Sequence, residues 1–232
     1  MLGRLSRTAS LVLVLAAVSS AADIQGIIVI KHKLTRRNVT PAAGAYDRGL
    51  PVKLEADPVG DPLAFERTHV VVFLEDGTSN DSATTAALEQ RDRRFTPDLV
   101  VVPTGSTVAF PNFDPIFHNV FSLSKPKSFD LGNYPKGQSR SIAFTKPGIV
   151  HVNCHLHSNM TAVIVVTPNR WFARPDADGR FVIKDVPPGK HQVVAWHKTA
   201  GFFRDSVEPG KEVQFVIPLD ESGHKSEPVA TR

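Results

Sequence analysis

Short apolar runs bounded by turn-forming residues follow one another along most of the chain. Val, Ile and Phe are concentrated in these runs, with Gly, Pro, Asn and Asp between them, whereas the spacing of an amphipathic helix is nearly absent. Such a pattern is typical of antiparallel β-sandwiches, so the sequence predicts an all-β fold. The predicted strands cover residues 26–33, 68–74, 99–103, 107–110, 118–123, 139–144, 149–154, 162–167, 180–183, 191–197 and 212–217. Only residues 84–93 have a pattern compatible with a helix.

The density of the predicted strands divides the chain into regions. Residues 95–167 alternate strand and turn most closely, whereas residues 34–67 carry prolines, glycines and charges with little periodicity, which predicts a long surface excursion. Residues 168–175 are typical of a linker. The stretch DADGRFVIKDVPPGKHQVVAWH then has two apolar runs and tight turns, which predict a compact hairpin. The polar tail at 221–232 is predicted to be disordered.

The first 22 residues have the features of a secretory signal peptide. Arg4 and Arg7 precede an apolar run at 11–18, and the small residues at 20–22 suit cleavage before Asp23. The apolar run is shorter than the roughly 20 residues that a membrane-spanning helix needs. We therefore expect secretion across the inner membrane into the periplasm or the extracellular space, with no integral membrane segment after cleavage.

The charge of the chain gives little support for a nucleic-acid partner. Removal of the two signal-peptide arginines lowers the formal net charge from +4 to +2, and no basic stripe with interleaved aromatic residues is present. Nucleic-acid-binding domains concentrate Lys and Arg along one face or one helix. The sequence therefore predicts no nucleic-acid partner.

The chemically distinctive stretch is CHLHSNM, residues 154–160. Its Cys-x-x-His-x-x-Met spacing places Cys154, the only cysteine, with His157 and Met160 on one short loop that leaves a strand, and His118 lies 36 residues before the cysteine. A thiolate, two imidazoles and a distant thioether are the donor set of blue-copper sites, in which the methionine is a weak axial ligand. The sequence therefore predicts one type 1 copper held by these four residues.

The strand before this loop supports a metal-bound thiolate. Val150, Val152 and Cys154 alternate along it, which directs the sulfur to the buried face of the strand. A lone cysteine cannot form an internal disulfide in an exported protein, and a buried thiolate is costly unless a cation offsets its charge. His151 and His155 should project away from the metal-facing side.

Other cysteine and metal chemistries fit these residues less well. Structural zinc usually recruits four strong donors, often paired cysteines, and a binuclear copper-thiolate centre needs a second cysteine. Multicopper oxidase chemistry needs several His-x-His pairs, whereas the segment from His155 to His157 is the only such pair in the chain. A nucleophilic cysteine would favour partial exposure in an electropositive environment, whereas Cys154 ends a strand predicted to be buried.

At these residues the chain resembles the cupredoxin family, the plastocyanin and pseudoazurin type of blue copper protein. FTPDLVVVPTGSTVAFPN is similar to the family's opening strand pair, HNVFS to its first ligand segment, and KPGIVHVNCHLHSNMTAVIVV to its second. The short Cys-x-x-His-x-x-Met loop is most similar to the amicyanin-like branch. The resemblance covers residues 90–167 and implies a cupredoxin Greek-key β-sandwich there.

The resemblance also implies roles for residues around the ligands. Asn119 would hydrogen-bond across to the second ligand loop and hold it in place. Phe113, Pro115, Ile116 and Phe117 would form the apolar rim at which redox partners of cupredoxins dock. Packing around the site is the alternative reading of this rim, and a generic turn residue is the alternative for Asn119.

The flanking regions resemble a different family, the carboxypeptidase-regulatory, transthyretin-like β-domain. The hairpin after residue 175 carries this similarity, together with apolar strands at 26–33 and 68–76. We expect residues 23–80 and 168–220 to form one discontinuous small β-sandwich with the copper domain inserted, since insertion is tolerated where chain ends lie close together. Two independent domains in series are the alternative.

The sequence as a whole predicts an exported electron carrier that passes single electrons between redox partner proteins by Cu(I)/Cu(II) cycling, and not an enzyme. Two alternatives use the same residues differently. A periplasmic copper carrier or storage protein would bind the metal without passing electrons. An adhesion-type β-sandwich with a vestigial site would take up no copper specifically.

Overall fold

A computed structural model describes residues 21–35, 61–79 and 83–217 of the chain. The described part consists of short strands and one five-residue helix. In chain order the elements are β1 (Ala22–Ile30), α1 (Ala64–Thr68), β2 (Val70–Leu74), β3 (Thr85–Ala87), β4 (Glu89–Arg91), β5 (Arg94–Thr96), β6 (Leu99–Pro103), β7 (Thr107–Pro111), β8 (His118–Ser124), β9 (Lys127–Tyr134), β10 (Ser139–Ala143), β11 (Gly148–Asn153), β12 (Thr161–Thr167), β13 (Phe172–Ala173), β14 (Arg180–Val186), β15 (His191–His197), β16 (Gly201–Val207) and β17 (Glu212–Ile217). The predicted all-β class is confirmed.

Several sequence predictions fall outside the described residues. These are the signal peptide up to residue 20, residues 36–60 of the expected surface excursion, and the tail at 221–232. Ala22, the last residue of the predicted signal peptide, begins β1. Within the described ranges, no helix is both long enough and apolar enough to cross a membrane.

The central sandwich packs two sheets face to face around one apolar core. One sheet has the strand order β6-β12-β11-β8-β9 and the other β10-β7-β3, with β4 and β5 as a small hairpin beside them. β11 and β12 form an antiparallel hairpin, and β12 pairs in parallel with β6. The core between the sheets includes Val102, Phe110, Val152 and Ile164, all fully buried, and it also contains Cys154 and Met160.

The flanking sandwich joins strands that lie far apart in the sequence. Its sheets have the orders β14-β1-β17 and β13-β2-β15-β16. β1 lies between β14, which is antiparallel to it, and β17, which is parallel. β2 pairs with β13 and β15, so both early strands complete sheets whose other members come after residue 170. The fold is thus a central β-sandwich accompanied by a second small β-sandwich, and both are built from strands as predicted.

A third apolar cluster packs the two sandwiches against each other. β2, β12 and β15 each bury both faces: alternate residues point into their own sandwich, and the others meet between the sandwiches. The cluster between the sandwiches consists of Val71, Phe73, Leu99, Val163, Val165, Val194 and Trp196. Strands buried on both faces are continuous apolar runs and not alternating ones, which explains VVVFL in β2 and AVIVV in β12. The two sandwiches therefore share a dry interface.

Truncation of Val194 at this shared interface is expected to destabilise the protein. Val194 is fully buried in the third cluster, so Val194→Ala should lower the free energy of unfolding by about 2 kcal/mol through lost burial and the cavity left behind. Urea denaturation followed by circular dichroism would measure it. Val182→Ala on β14, where the side chain is 40% exposed, is the matched control and should change the free energy by less than about 0.5 kcal/mol. Equal effects of the two variants would contradict the shared interface.

The predicted helix at 84–93 is wrong. This segment instead forms β3 and β4, and β3 pairs in parallel with β7. Its Ala, Leu, Glu and Gln favour helix by intrinsic propensity, but tertiary pairing overrides propensity. Leu88 and Gln90 are fully buried at alternate positions, and the chain then turns through Asp92 and Arg93, whose φ values are 54° and 55°.

Besides β3 and β4, four strands were not predicted: the short β5 and β13, and the longer β9 and β16. β9 has eight residues and pairs with β8 at the edge of the central sheet. β16 is likewise an edge strand and pairs with β15. Both carry charged or glycine residues because edge strands have one side without a neighbour, and charges there prevent unwanted pairing.

Candidate metal centre

The second donor segment is the tip of the β11–β12 hairpin. The two strands remain paired up to Asn153 and Thr161, so residues 154–160 close the hairpin. Within the tip, Cys154 N–H donates to the Met160 carbonyl at 3.2 Å, and Met160 N–H donates to the His157 carbonyl at 3.0 Å. These bonds bring both ends of the tip together and fix its backbone.

The first donor segment reaches this tip through sheet pairing. β8 lies beside β11, with Phe121 opposite Asn153, and His118 is the first residue of β8. The start of β8 therefore lies alongside the residues that follow β11. Two segments separated by more than thirty residues are joined in this way at one end of the central sandwich.

Three of the four predicted ligands converge at this end. His118 Nδ1 lies 3.1 Å from His157 Nδ1, and the Cys154 Sγ lies 3.9 Å from the former nitrogen and 3.7 Å from the latter. His118 is fully buried, Cys154 is 5% exposed and His157 is half-buried. Two imidazole nitrogens and one sulfur thus lie close together at one place.

The spacing of these donor atoms fits a single metal ion. A first-row ion such as zinc binds imidazole nitrogen at about 2.0 Å and thiolate sulfur at about 2.3 Å, so at trigonal angles two nitrogens around one ion are about 3.5 Å apart and a nitrogen and the sulfur about 3.7 Å apart. The observed separations are close to these values, 3.1 Å between the nitrogens and 3.7 and 3.9 Å between each nitrogen and the sulfur. One metal ion could therefore contact all three donor atoms without a large movement of their side chains. Among the described residues this is the only group of three or more His, Cys, Asp or Glu side chains with metal-binding spacing.

Met160 lies at the end of the same tip, directly before β12. Its side chain is 1% exposed and belongs to the same apolar core cluster as Cys154. Its role as an axial ligand stays a prediction.

The environment of the sulfur involves Asn119 through its backbone. Asn119 N–H points at Cys154 Sγ at 3.5 Å. The side-chain amide does not follow the expectation of a bond to the ligand loop: its Nδ2 donates to Asp130 Oδ1 on β9 at 2.6 Å. Its Oδ1 is buried and has no hydrogen-bond partner among the described residues. The residue joins β8 to β9 and also offers one donor to the sulfur.

Sequence reasoning missed Asp114, which contacts His118. Asp114 Oδ2 lies 2.7 Å from His118 Nε2, and both side chains are almost completely buried. The same carboxylate accepts the backbone N–H groups of Asp92 at 2.6 Å and Arg93 at 2.9 Å. Burial by itself raises the pKa of Asp114, but the hydrogen bonds from Arg93, His118 and Asp92 outweigh it and leave the pKa below its ordinary value. Asp114 is therefore a buried carboxylate that stays ionised.

The environment of His157 favours its neutral form. Partial burial lowers the pKa of His157, and the neighbouring His118 and Arg93 side chains lower it further, against the opposite effect of Asp114. A neutral imidazole is the form that binds metal ions, so the ring is in the binding form near neutral pH.

Exposed or half-buried apolar side chains precede His118 in the chain, and another lies on the hairpin tip. Phe113 is 40% exposed and Phe117 is 57% exposed, and between them Pro115 is exposed and Ile116 half-buried. Leu156, on the hairpin tip, is 50% exposed. Together these five residues form what we call the apolar rim. The guanidinium of Arg91 lies 4.5 Å above the Phe113 ring and adds a positive charge at its edge.

The remaining histidines of the β11–β12 hairpin point elsewhere. His151 and His155 are exposed. The His155 ring stacks on Phe121 at 3.7 Å, and its Nε2 lies 3.6 Å from Asp130. Neither ring belongs to the group around Cys154.

Comparison with known proteins gives structural similarity only. No protein-family model matches the chain, and no curated protein matches it. Among solved structures, the chain is similar to the copper-containing nitrite reductase of Thermus scotoductus SA-01, with 26% identity and a TM-score of 0.34. That match covers 36% of this chain and 22% of the nitrite reductase chain, so this chain spans about a fifth of that protein.

Two smaller proteins match the chain over nearly their whole length. A purple cupredoxin from Nitrosopumilus maritimus is 20% identical with a TM-score of 0.33, over 35% of this chain and 99% of that one. A mutant of amicyanin in its Cu(I) form is 19% identical with a TM-score of 0.34, over 42% of this chain and 98% of that one. These scores are low. Function therefore has to be argued from the side chains of this chain.

Proposed function

We propose that the protein is an exported electron carrier with one type 1 copper. His118, Cys154 and His157 would be the equatorial ligands and Met160 the axial one. The observation that carries the proposal is the convergence of two imidazole nitrogens and the only thiol of the chain at 3.1–3.9 Å from one another. Copper bound by this donor set supplies a single-electron Cu(I)/Cu(II) couple, since sulfur and imidazole nitrogen suit both oxidation states.

The surroundings of the donors favour electron transfer over metal release. Cys154 is 5% exposed and His118 fully buried, so solvent and competing ligands have little access to them. The hairpin tip is fixed at both ends by strand pairing and by its own backbone hydrogen bonds. Ligands held on rigid elements move little when the charge of the metal changes, which keeps the barrier to electron transfer low.

The apolar rim would be the docking surface for the redox partner proteins. It includes Leu156, the sequence neighbour of His157, and His157 is half-buried and is the most exposed of the three converging residues. Phe113, Phe117 and Leu156 are each at least 40% exposed. A small apolar patch at the metal end allows close approach of a partner without a large, slowly released interface.

We further propose the domain division that the strand pairing supports. Residues 23–80 and 168–220 would form one β-domain, interrupted by the copper domain at 90–167, because β1 and β2 share sheets with β13 to β17. Residues 1–22 would direct export and be removed. The protein would carry electrons between other proteins and would have no catalytic activity of its own.

Addition of Cu(II) to the purified apoprotein tests the proposal. One equivalent should produce an intense visible absorption band from sulfur-to-copper charge transfer and a narrow copper hyperfine splitting in electron spin resonance. A protein that stays colourless with one equivalent of copper, or binds it with the spectrum of a nitrogen and oxygen site, would contradict the proposed function.

Repeated reduction and reoxidation of the copper form separates a carrier of electrons from a carrier of copper. An electron carrier retains the metal through many cycles in the presence of a competing chelator and recovers the full absorption each time. A copper carrier or storage protein loses Cu(I) to the chelator on the first reduction. A vestigial site shows no specific uptake and equal stability with and without copper.

A further inference from the structure

We propose that Asp114 is a positioning residue that fixes the His118 ring for copper and favours the oxidised metal. This inference rests on the proposed function and adds to it a residue outside the four ligands. The carboxylate would hold the proton of His118 on Nε2, so that Nδ1 keeps its lone pair toward Cys154 and His157. The negative charge behind the ring would strengthen the imidazole as a donor to Cu(II).

The first argument is the assignment of the ring proton. An ionised carboxylate only accepts hydrogen bonds, and Asp114 Oδ2 lies 2.7 Å from His118 Nε2. Nε2 must therefore be the protonated nitrogen. The other nitrogen, Nδ1, is the atom that lies 3.1 Å from His157 Nδ1 and 3.9 Å from Cys154 Sγ. The nitrogen that faces the donor group is thus free to bind a metal in the neutral ring.

The second argument is that Asp114 is itself held in place. Its backbone N–H donates to Asn112 Oδ1 at 2.9 Å, and its carboxylate accepts two backbone N–H groups from the turn between β4 and β5. Asn112 Nδ2 in turn donates to the carbonyls of Ile116 and Tyr134. A carboxylate with this many fixed donors cannot follow the ring if the ring rotates. It therefore imposes one orientation on His118.

The third argument concerns charge. Asp114 is 5% exposed, so water screens its charge weakly, and interactions between charges are strong in such surroundings. A negative charge one imidazole ring away from the metal stabilises Cu(II) more than Cu(I), because Cu(II) carries the greater positive charge. Hydrogen bonding of a ligand histidine to a carboxylate also raises its basicity. Both effects lower the reduction potential.

Asp114→Asn removes the charge with little change in size and tests this role. Cu(II) affinity should fall about tenfold relative to Cu(I) affinity, within the 10–100-fold range for partners of metal-ligating histidines. For a one-electron couple that tenfold change raises the reduction potential by about 59 mV. Voltammetry of the copper-loaded protein measures the potential, and electron spin resonance should show a changed copper hyperfine splitting.

Two matched variants serve as controls for this role. One removes a nearby negative charge alone, and the other breaks a carboxylate–histidine pair elsewhere in the protein. Asp92 is exposed on the β4–β5 turn and uses only its backbone N–H to bind Asp114, and asparagine suits its positive φ, so Asp92→Asn removes a nearby charge alone. Asp76→Asn breaks a 3.0 Å carboxylate–histidine pair with His191 in the flanking sandwich. Both variants should leave the potential and the spectrum essentially unchanged.

A measurement on the wild-type protein keeps the inference testable if Asp114→Asn folds poorly. Nitrogen-15 magnetic resonance of the apoprotein should show His118 with a slowly exchanging proton on Nε2. A bare Nε2 would overturn the inference. So would an Asp114→Asn protein that folds, binds copper and keeps the wild-type potential. Failure of the proposed function is distinct from either result, because the wild-type protein itself would then give no type 1 spectrum.

Discussion

Cys154→Ser is expected to abolish the visible charge-transfer band completely. The band requires a thiolate bound to copper, and Cys154 is the chain's only thiol. A serine hydroxyl stays protonated near neutral pH and is a poor ligand for copper, so the three-donor group loses its charged member. Loss of a partner beyond the ligands costs about 10–100-fold in metal affinity, and loss of the thiolate itself should exceed that range. Absorption and isothermal titration with Cu(II) measure the two effects.

The matched control for this prediction lies next to the cysteine. His155 is exposed and stacks on Phe121 away from the donor group, so His155→Gln should retain the absorption band and the affinity. The apoprotein of Cys154→Ser should still fold, because serine is close to cysteine in size and Asn119 N–H already faces this position. A Cys154→Ser protein that keeps the band, or a His155→Gln protein that loses it, would remove the basis of the proposed copper site.

Much of the fold could be predicted from the sequence because buried strands have an apolar local composition. β6 and β15 were predicted with the bounds that the structure has, and both are strands rich in valine and buried along most of their length. β12, with AVIVV buried on both faces, was predicted to within one residue. The spacing from Cys154 to Met160 identified the hairpin tip, since a short loop between two apolar runs has to close one end of a sheet.

The parts that sequence reasoning missed depend on contacts between distant segments. Asp114 carries no local signal, because an acidic residue four positions before a histidine is common in loops. Its role follows only from the turn at Asp92 and Arg93, and that turn lies in the segment wrongly predicted as helix. The side chain of Asn119 likewise binds Asp130, a residue of the strand β9, which was not predicted. The surroundings of the ligands were therefore missed, because one segment that forms them was predicted as a helix and the other was not predicted as a strand.

A second buried carboxylate, Glu66, joins three separate parts of the flanking sandwich. Its Oε1 accepts the Leu34 N–H at 3.0 Å, the Thr35 N–H at 2.8 Å and the Thr35 hydroxyl at 2.6 Å. Its Oε2 lies 3.1 Å from His197 Nε2, and neither side chain is exposed by more than 1%. The helix α1, the segment after β1 and the end of β15 therefore meet at this one side chain.

His197 is neutral in this arrangement. Its Nδ1 accepts backbone N–H groups from Thr199 at 3.2 Å and Ala200 at 3.3 Å, so the ring proton is on Nε2 and is donated to Glu66. Burial lowers the pKa of His197 and outweighs the opposite effect of the Glu66 charge. Burial raises the pKa of Glu66, but the hydrogen bonds from Thr35 and from the Leu34 N–H leave it below its ordinary value of 4.5.

Glu66→Ala is expected to destabilise the protein by about 3–5 kcal/mol, because several buried donors lose a charged acceptor at once and each donor left unsatisfied costs about 1–3 kcal/mol. The substitution leaves three donors and the His197 Nε2–H without acceptors in a site closed to water, and each unsatisfied buried group is costly. Chemical denaturation of the apoprotein at pH 7 measures the loss. The control is Glu208→Ala, which removes an exposed carboxylate paired with Lys211 and should leave the midpoint of unfolding essentially unchanged.

The pH dependence distinguishes a charged network from simple loss of packing at Glu66. A carboxylate with a lowered pKa in the folded state contributes stability that is present above its ordinary pKa and is lost as the pH falls through the folded-state value. The difference between wild type and Glu66→Ala should therefore be constant above about pH 5 and should shrink below the ordinary value of 4.5. Burial lowers the pKa of His197 in both proteins, so both lose stability below about pH 6.5, where the unfolded chain takes up a proton that the folded ring resists, and this effect does not produce the difference between them. A difference between the two proteins that stays the same from pH 7 down to pH 3 would mean that Glu66 stabilises the fold by its size and not by its charge.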